Sequence, residues 1–175
     1  QGSGFFIDDK GTAVTNFHVI NGGYTAVVKT AYSDELYLVE GVYDCEKTED
    51  WAVIKVQCVG NEYLKTNTDN VAGGAKVYAL GSPEGLENTI SEGLISNPKR
   101  QVGEVTYIQT NAPVSHGSSG GALVNNKGEV IGIPTMISLV GQNLNFALPV
   151  SYVVNYNKDN FIAFTGEESI NDLIA

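Results

Sequence analysis

Histidine and cysteine are scarce in this chain, with two of each among 175 residues. No pair of them has zinc-ligand spacing, which argues against a structural or catalytic zinc site, and no other metal is expected. Basic residues are also few. Lys+Arg number 10 against 20 Asp+Glu, a net charge of −10. A chain this acidic is poorly suited to gripping phosphate backbones, so no nucleic-acid partner is expected. No run approaches the roughly 18 apolar residues that span a bilayer, and no signal peptide is visible. The first residue is Gln1 rather than Met. That suits an excised piece, and the missing targeting segment then says nothing about the parent protein. Only five prolines stand against twenty glycines, which points to many tight turns and close backbone approaches.

What is present is enough for a core. Hydrophobic residues make up 42% and charged residues 17%, which disfavours global disorder. The length suits one compact domain, or two small ones sharing an interface. GSGFFIDDKG reads as a strand and turn, and TAVTNFHVI as a strand running into a loop or helical turn at His18. YTAVVKTAY, ELYLVEGVYD and DWAVIKVQC follow as strands rich in Val, Tyr and Ile. NEYLKTNTDNVAGGA lacks apolar periodicity and reads as a linker. A second strand set begins at Lys76 and ends in QNLNFALP, with NNKG as a hairpin signal between two apolar runs. PVSYVVNYN predicts a terminal helix starting at Pro149, and GEESINDLIA a short amphipathic segment. Many short strands at this spacing suggest a sandwich or barrels.

Cys45 and Cys58 each close a strand, with the turn near Lys47. In such a hairpin Cys45 faces roughly residue 50 and Cys58 roughly residue 37. At about 3.3 Å per residue the two lie too far apart for a disulfide, whose Cα atoms sit within about 7 Å. Two free cysteines are expected.

HGSSGGALV carries the strongest chemical signal. Glycines around Ser119 let the backbone turn sharply and aim its N–H groups at one point, as a nucleophilic serine requires. A glycine- and serine-rich surface loop without chemistry has the same composition. GSSGG also fits the elbow of α/β-hydrolases, but there a histidine follows the serine, and none follows Ser119 here. A base must be His18 or His116. His116 is three residues from Ser119 on the same loop and belongs on the rim. His18, at the end of an apolar strand, could equally be a structural, hydrogen-bonded histidine. For the orienting acid, Asp50 stands just before the apolar run WAVIKV, although an aspartate in a turn is common there. Asp8, Asp9, Asp34 and Asp44 are alternatives in turn-like contexts. His18, Asp50 and Ser119 in this order match the chymotrypsin arrangement.

Together, GSGFFI, TNFHVI, TEDWAVIKV, LGSPEGLENTISEGLIS, IQTNAPVSHGSSGGALVNNKGEVIGI and NFALP resemble the trypsin-fold serine proteases of the HtrA (Deg) family, over about residues 2–150. The resemblance implies an all-β fold of two six-stranded antiparallel β-barrels of the chymotrypsin/trypsin type, with a short C-terminal helix. Residues 1–60 would form the barrel carrying His and Asp, 61–75 the linker, 76–160 the barrel carrying Ser, and 161–175 a tail. It implies endopeptidase action on unfolded or misfolded polypeptides, with no cofactor. Three positions depart from the family pattern: Ser118 where Asn is usual, His116 where Pro or Arg is frequent, and Ala122 where Pro is frequent. Neither a PDZ domain nor the segment that supports trimers in relatives lies within these 175 residues. A homo-oligomer, a trimer by resemblance, is expected, as are further domains in the parent chain and an extracytoplasmic or membrane-tethered location.

The same resemblance assigns roles. Ser119 would attack the peptide carbonyl, His18 would carry the proton, and Asp50 would orient the imidazole. Gly117 and Ser119, with Ser118, would form the oxyanion hole. Ser118 stands where digestive relatives keep an aspartate that pairs with a newly cut N-terminus, so activation by trimming is not expected. Pro113 occupies the position that decides selection at the pocket base, and residues 109–118 carry no carboxylate. Val114, Ile137 and Ala147 would form aliphatic pocket walls, and Thr135, Met136 and Ile137 an edge for the substrate backbone. The competing expectation is a catalytically silent protease-fold binding or scaffold module.

Overall fold

A strand buried on both faces has no polar side to show, so it reads as a continuous apolar run. WAVIKV is such a run, broken only by Lys55. In the computed structural model, which describes residues 1–82, 89–115, 117–139 and 142–175, it forms strand β5 (Trp51–Val56). Ala52, Ile54 and Val56 of β5 pack with Ala13, Ile20, Val39, Val42 and Ile170. Trp51 and Val53 point the other way, into a cluster with Phe5, Val14, Tyr107, Phe146 and Leu148. The first cluster is the interior of one sheet. The second joins that sheet to the other half of the molecule.

The first sheet also contains β1 (Gly4–Phe6), β2 (Thr12–Thr15), β3 (Val27–Lys29) and β4 (Leu36–Glu46). Its strands run in the order β1-β2-β5-β4, with β3 paired to β4. Two register shifts in β4, at Val39/Gly41 and Val42/Asp44, bend the strand and curl the sheet. The β4–β5 turn spans residues 47–50, and Cys45 lies opposite Ala52, two positions beyond the expected partner. Both cysteines are free. Residues 61–75 contribute a single parallel bridge, Thr66 to Val130.

The second half is a closed barrel of six antiparallel strands: β6 (Lys76–Gly81), β7 (Thr89–Val102), β8 (Val105–Thr110), β9 (Ala122–Val124), β10 (Val130–Leu139) and β11 (Gln142–Pro149). Every strand sends a side chain into its interior: Val77, Ile95, Ile108, Leu123, Ile131 and Ala147. NNKG makes the β9–β10 turn, in which the Asn125 amide donates to the Glu129 carbonyl at 2.9 Å. Each fully buried Leu, Ile or Phe contributes about 1.5–3 kcal/mol.

One expectation about the C-terminal stretch is corrected. PVSYVVNYN forms only a single 3₁₀ turn, Val150–Tyr152, in place of a helix. Its β-branched, aromatic and Asn residues have weak helix propensity, and so short a run nucleates poorly alone. Val150 and Val153 instead fill the junction between the two halves. Residues 161–175 pack on the first sheet. Strand β12 (Ile162–Ala163) pairs with Val42 and Gly41 of β4 and is the sixth strand of the first sheet. The short helix α2 (Ile170–Leu173) buries Ile170 in that sheet's core. The first sheet is therefore curled and six-stranded, but its ladder does not close among the described residues, as that of the second barrel does.

Candidate active site

The first half builds a histidine–aspartate pair. After β2 the chain turns at Asn16 into the one-turn helix α1 (Phe17–Ile20), which buries Phe17 and Ile20 and leaves His18 outward. Asp50, last residue of the β4–β5 turn, adopts φ +59°, a left-handed conformation that Asp tolerates. Its carbonyl accepts a hydrogen bond from Asn16 Nδ2 at 2.8 Å. Its carboxylate grips His18 twice: Oδ1 accepts from the His18 backbone amide at 2.9 Å, and Oδ2 lies 2.6 Å from Nδ1. With Asp50 ionised, Nδ1 carries the ring proton and Nε2 is left as the basic nitrogen.

The second half supplies the serine. Ser119 lies in the loop between β8 and β9 and is buried. Its carbonyl accepts from the Ser3 amide at 3.0 Å. Gly120 has φ +87°, and a side chain there would collide with the Ser3 carbonyl, Thr15 Oγ1 and the Asn16 amide. The loop is thus seated against the residue two before His18. Gly2 is wedged between Val19, next to His18, and the Ser119 carbonyl, which would lie 3.2 Å from a Cβ at Gly2. The structure therefore brings His18, Asp50 and Ser119 into one neighbourhood at the junction of the halves. The His18 ring is bonded to Asp50 and to no other described side chain; in unliganded sites the base–nucleophile bond is often long and tightens only with substrate.

Ser118 is occupied elsewhere. Its amide donates to the Ser115 carbonyl at 3.0 Å, its Oγ lies 3.3 Å from Ser115 Oγ, and it packs against Gly81. Among the described residues the amides of Gly117 and Ser119 donate to no protein acceptor. His116, expected on the rim, lies outside the described residues, as do residues 83–88 of the LGSPEGLENTISEGLIS stretch.

The expected pocket residues separate. Val114 and Ala147 share the interior cluster of the second barrel. Ile137 pairs with Leu144, and both pack on the junction cluster instead. Thr135, which is buried, lies opposite Phe146, and Met136 opposite Asn145. β10 pairs with β9 only at Val130 and Gly132, so among the described residues the β9-side edge of Thr135–Ile137 carries no strand.

Residues that the sequence reading did not single out hold the site together. Ser3, Thr15 and Asn16 are buried polar groups flanking apolar strands, a pattern visible in GSGFF and TAVTNF. Glu49, beside Asp50, has a buried Oε2 without a hydrogen-bond partner, and so does the Trp51 indole Nε1. Burial pushes the Glu49 carboxyl up, the nearby Trp51 indole pulls it partly back, and Glu46 pushes it further up. Burial also pushes the Tyr107 phenol up, with the charges of Asp50, Tyr152 and Glu49 adding to it. Among the described residues no three His, Cys, Asp or Glu side chains converge to hold a metal ion.

A curled six-stranded sheet carrying a His–Asp pair, packed on a closed six-stranded barrel carrying a glycine-flanked serine, is the plan of the trypsin-like serine peptidases. The sequence model of the family described as "Trypsin-like peptidase domain" matches residues 2–133. The chain belongs to that family and is a serine endopeptidase domain by class. Among its relatives is the Synechocystis protein HhoB, whose name as a serine protease is provisional, 36% identical over 168 residues, covering 91% of this chain and 40% of that protein. Another is the mitochondrial serine protease HTRA2 of Drosophila grimshawi, 35% identical over 161 residues, covering 87% of this chain and 37% of that protein. The serine endoprotease from Yersinia pestis superposes with a TM-score of 0.74 at 32% identity, covering 86% of this chain and 54% of that one. The chain spans about two fifths of the length of the curated relatives it matches. No helix among the described residues is long and apolar enough to cross a membrane.

Proposed function

We propose that this domain cleaves unfolded or misfolded polypeptides through a triad of His18, Asp50 and Ser119. The observation that carries the reading is the double grip of Asp50 on His18 beside a serine loop that Gly120 lets settle against Asn16. His18 Nε2 takes the proton from Ser119 Oγ as it attacks the peptide carbonyl, and returns it to the leaving amine. The developing oxyanion meets the amides of Gly117 and Ser119, each worth about 3 kcal/mol of barrier. Ser118, its amide already donating to the Ser115 carbonyl, supports the loop without donating to the oxyanion. The substrate backbone adds to the open edge at Thr135, Met136 and Ile137. Val114 and Ala147 line the pocket, and with no carboxylate in residues 109–118 it takes small or medium aliphatic side chains. A homo-oligomer, and an extracytoplasmic or membrane-tethered parent protein, belong to the same reading.

The test is labelling with a fluorophosphonate probe and casein digestion with mass-spectrometric mapping of the cuts. The parent domain should be labelled and cut after aliphatic residues. Ser119→Ala should lose both activities at an unchanged melting temperature, whereas Ser118→Ala should keep most of each. An unlabelled, inactive parent would mark a silent binding module, and a dominant Lys or Arg before the cuts would overturn the pocket.

A further inference from the structure

Ser3 is buried at 9% exposure, directly ahead of β1, and all its hydrogen-bonding groups are engaged. Its amide donates to the Ser119 carbonyl at 3.0 Å. Its carbonyl accepts from Thr15 Oγ1 at 2.7 Å. Its hydroxyl donates to the Gly117 carbonyl and accepts from the Ser82 amide at 2.9 Å. The two carbonyls Ser3 holds therefore belong to the two residues whose amides carry no protein acceptor.

A peptide unit is a rigid plane, so fixing its carbonyl fixes its N–H. The 117–118 plane is held at one end by Ser3 Oγ and at the other by the bond from the Ser118 amide to Ser115. The 119–120 plane is held by the Ser3 amide and, at 3.4 Å, by the Gly120 amide bonded to the Pro134 carbonyl. Between them lies the 118–119 plane, which bears the Ser119 N–H, its carbonyl accepting from the Gly121 amide at 3.0 Å. One residue from the first half thus holds the planes on both sides of a donor in the second half, the 117–118 plane through its hydroxyl and the 119–120 plane through its backbone amide.

We propose that Ser3 is a positioning residue for the oxyanion hole: its hydroxyl, clamped between Ser82 and Gly117, fixes the 117–118 plane and so holds the adjoining Ser119 amide in the orientation that receives the oxyanion. The proposal rests on the triad reading above. Ser3 does not touch substrate, so it acts on the transition state and leaves ground-state binding alone. Ser3→Ala keeps the backbone bonds of residue 3 and removes only the clamp.

The experiment measures kcat and KM on a chromogenic peptide, the inhibition constant of a matching peptide boronate, and the rate and amplitude of fluorophosphonate labelling. Labelling amplitude counts correctly folded molecules, and labelling rate reports the geometry of the hole. Ser3→Ala should lower kcat about ten- to a hundredfold, less than the hundred- to thousandfold of deleting a donor outright. KM should stay within about twofold, and boronate binding should weaken in step with kcat/KM. Ser3→Thr, which restores a hydroxyl, should recover kcat to within about threefold of the parent, under 1 kcal/mol of barrier. A parent that neither labels nor cleaves would defeat the triad reading itself. An active parent with Ser3→Ala equal to it in kcat and boronate affinity would overturn the role of Ser3 alone. If Ser3→Ala shows no labelled fraction, Ser3→Thr decides: parent-like rates sustain the clamp, and a folded but slow variant overturns it.

Discussion

Asp50 does two jobs with one short side chain, and both depend on its left-handed backbone. That conformation points the carboxylate back at α1, where it meets the amide and the ring of His18 together. In Asp50→Asn the new amide would donate to Nδ1 and drive the ring proton to Nε2, where it blocks proton transfer from Ser119. We expect kcat to fall by about 10⁴-fold with the fold intact; a loss smaller than about tenfold in steady-state assays would remove Asp50 from the triad. Its neighbour Glu49 gives a pH-dependent prediction. Burial raises its carboxyl above the ordinary value of 4.5. A carboxyl raised on folding contributes stability that is fully present below its unfolded pKa and is lost as pH rises through the folded one. Glu49→Gln removes the ionisation, so the variant should melt higher than the parent at pH 7 and level with it below about pH 4. A gap of equal size at both pH values in thermal melts would sink this account.

At the scale of elements, the strands are shaped by what each face must cover. β5 is apolar except at Lys55 because one face lines its own sheet and the other the junction. β4 must curl, and at Gly41 it must also admit β12: a Cβ there would overlap the Ile162 carbonyl and lie 2.8 and 2.9 Å from the Phe161 ring. Gly41→Ala should therefore push β12 off the sheet, at an overpacking cost of about 1–3 kcal/mol. Amide exchange should report it at Phe164, whose N–H bonds the Glu40 carbonyl at 2.9 Å. Unchanged protection at Phe164 would show that the last strand does not depend on the missing side chain.

The whole molecule stands on the cluster between its halves. Phe5, Val14, Trp51 and Val53 come from the first sheet, and Tyr107, Phe146, Leu148 and Ile133 from the barrel. Because His18 and Asp50 lie on one side of this junction and Ser119 on the other, the packing that gives stability also sets the geometry of the proposed triad. Phe146 is fully buried there, its ring tilted against Tyr107 with centroids 5.9 Å apart. Phe146→Ala should cost about 3–5 kcal/mol. In calorimetry it should lower one cooperative transition common to both halves. A parent scan with two separate transitions would contradict the shared core.

Much of this was legible in the residues. Alternation and double-sided apolar runs report which faces of a strand are covered, the glycines around Ser119 report a sharp turn, and the order of His18, Asp50 and Ser119 limits the chemistry. These are local properties of the chain, and local physics writes them into local sequence. The tertiary structure decided the rest. It placed β12 in the first sheet and Ile170 in that sheet's core, separated Ile137 from Val114 and Ala147, joined the Ser118 amide to Ser115, buried Oε2 of Glu49 beside Asp50, and set Ser3 against Gly117 and Ser119. A periodic pattern tells which side of a strand is buried but not which distant residue lies across from it. That pairing follows from how two sheets, each already curled, pack into one another.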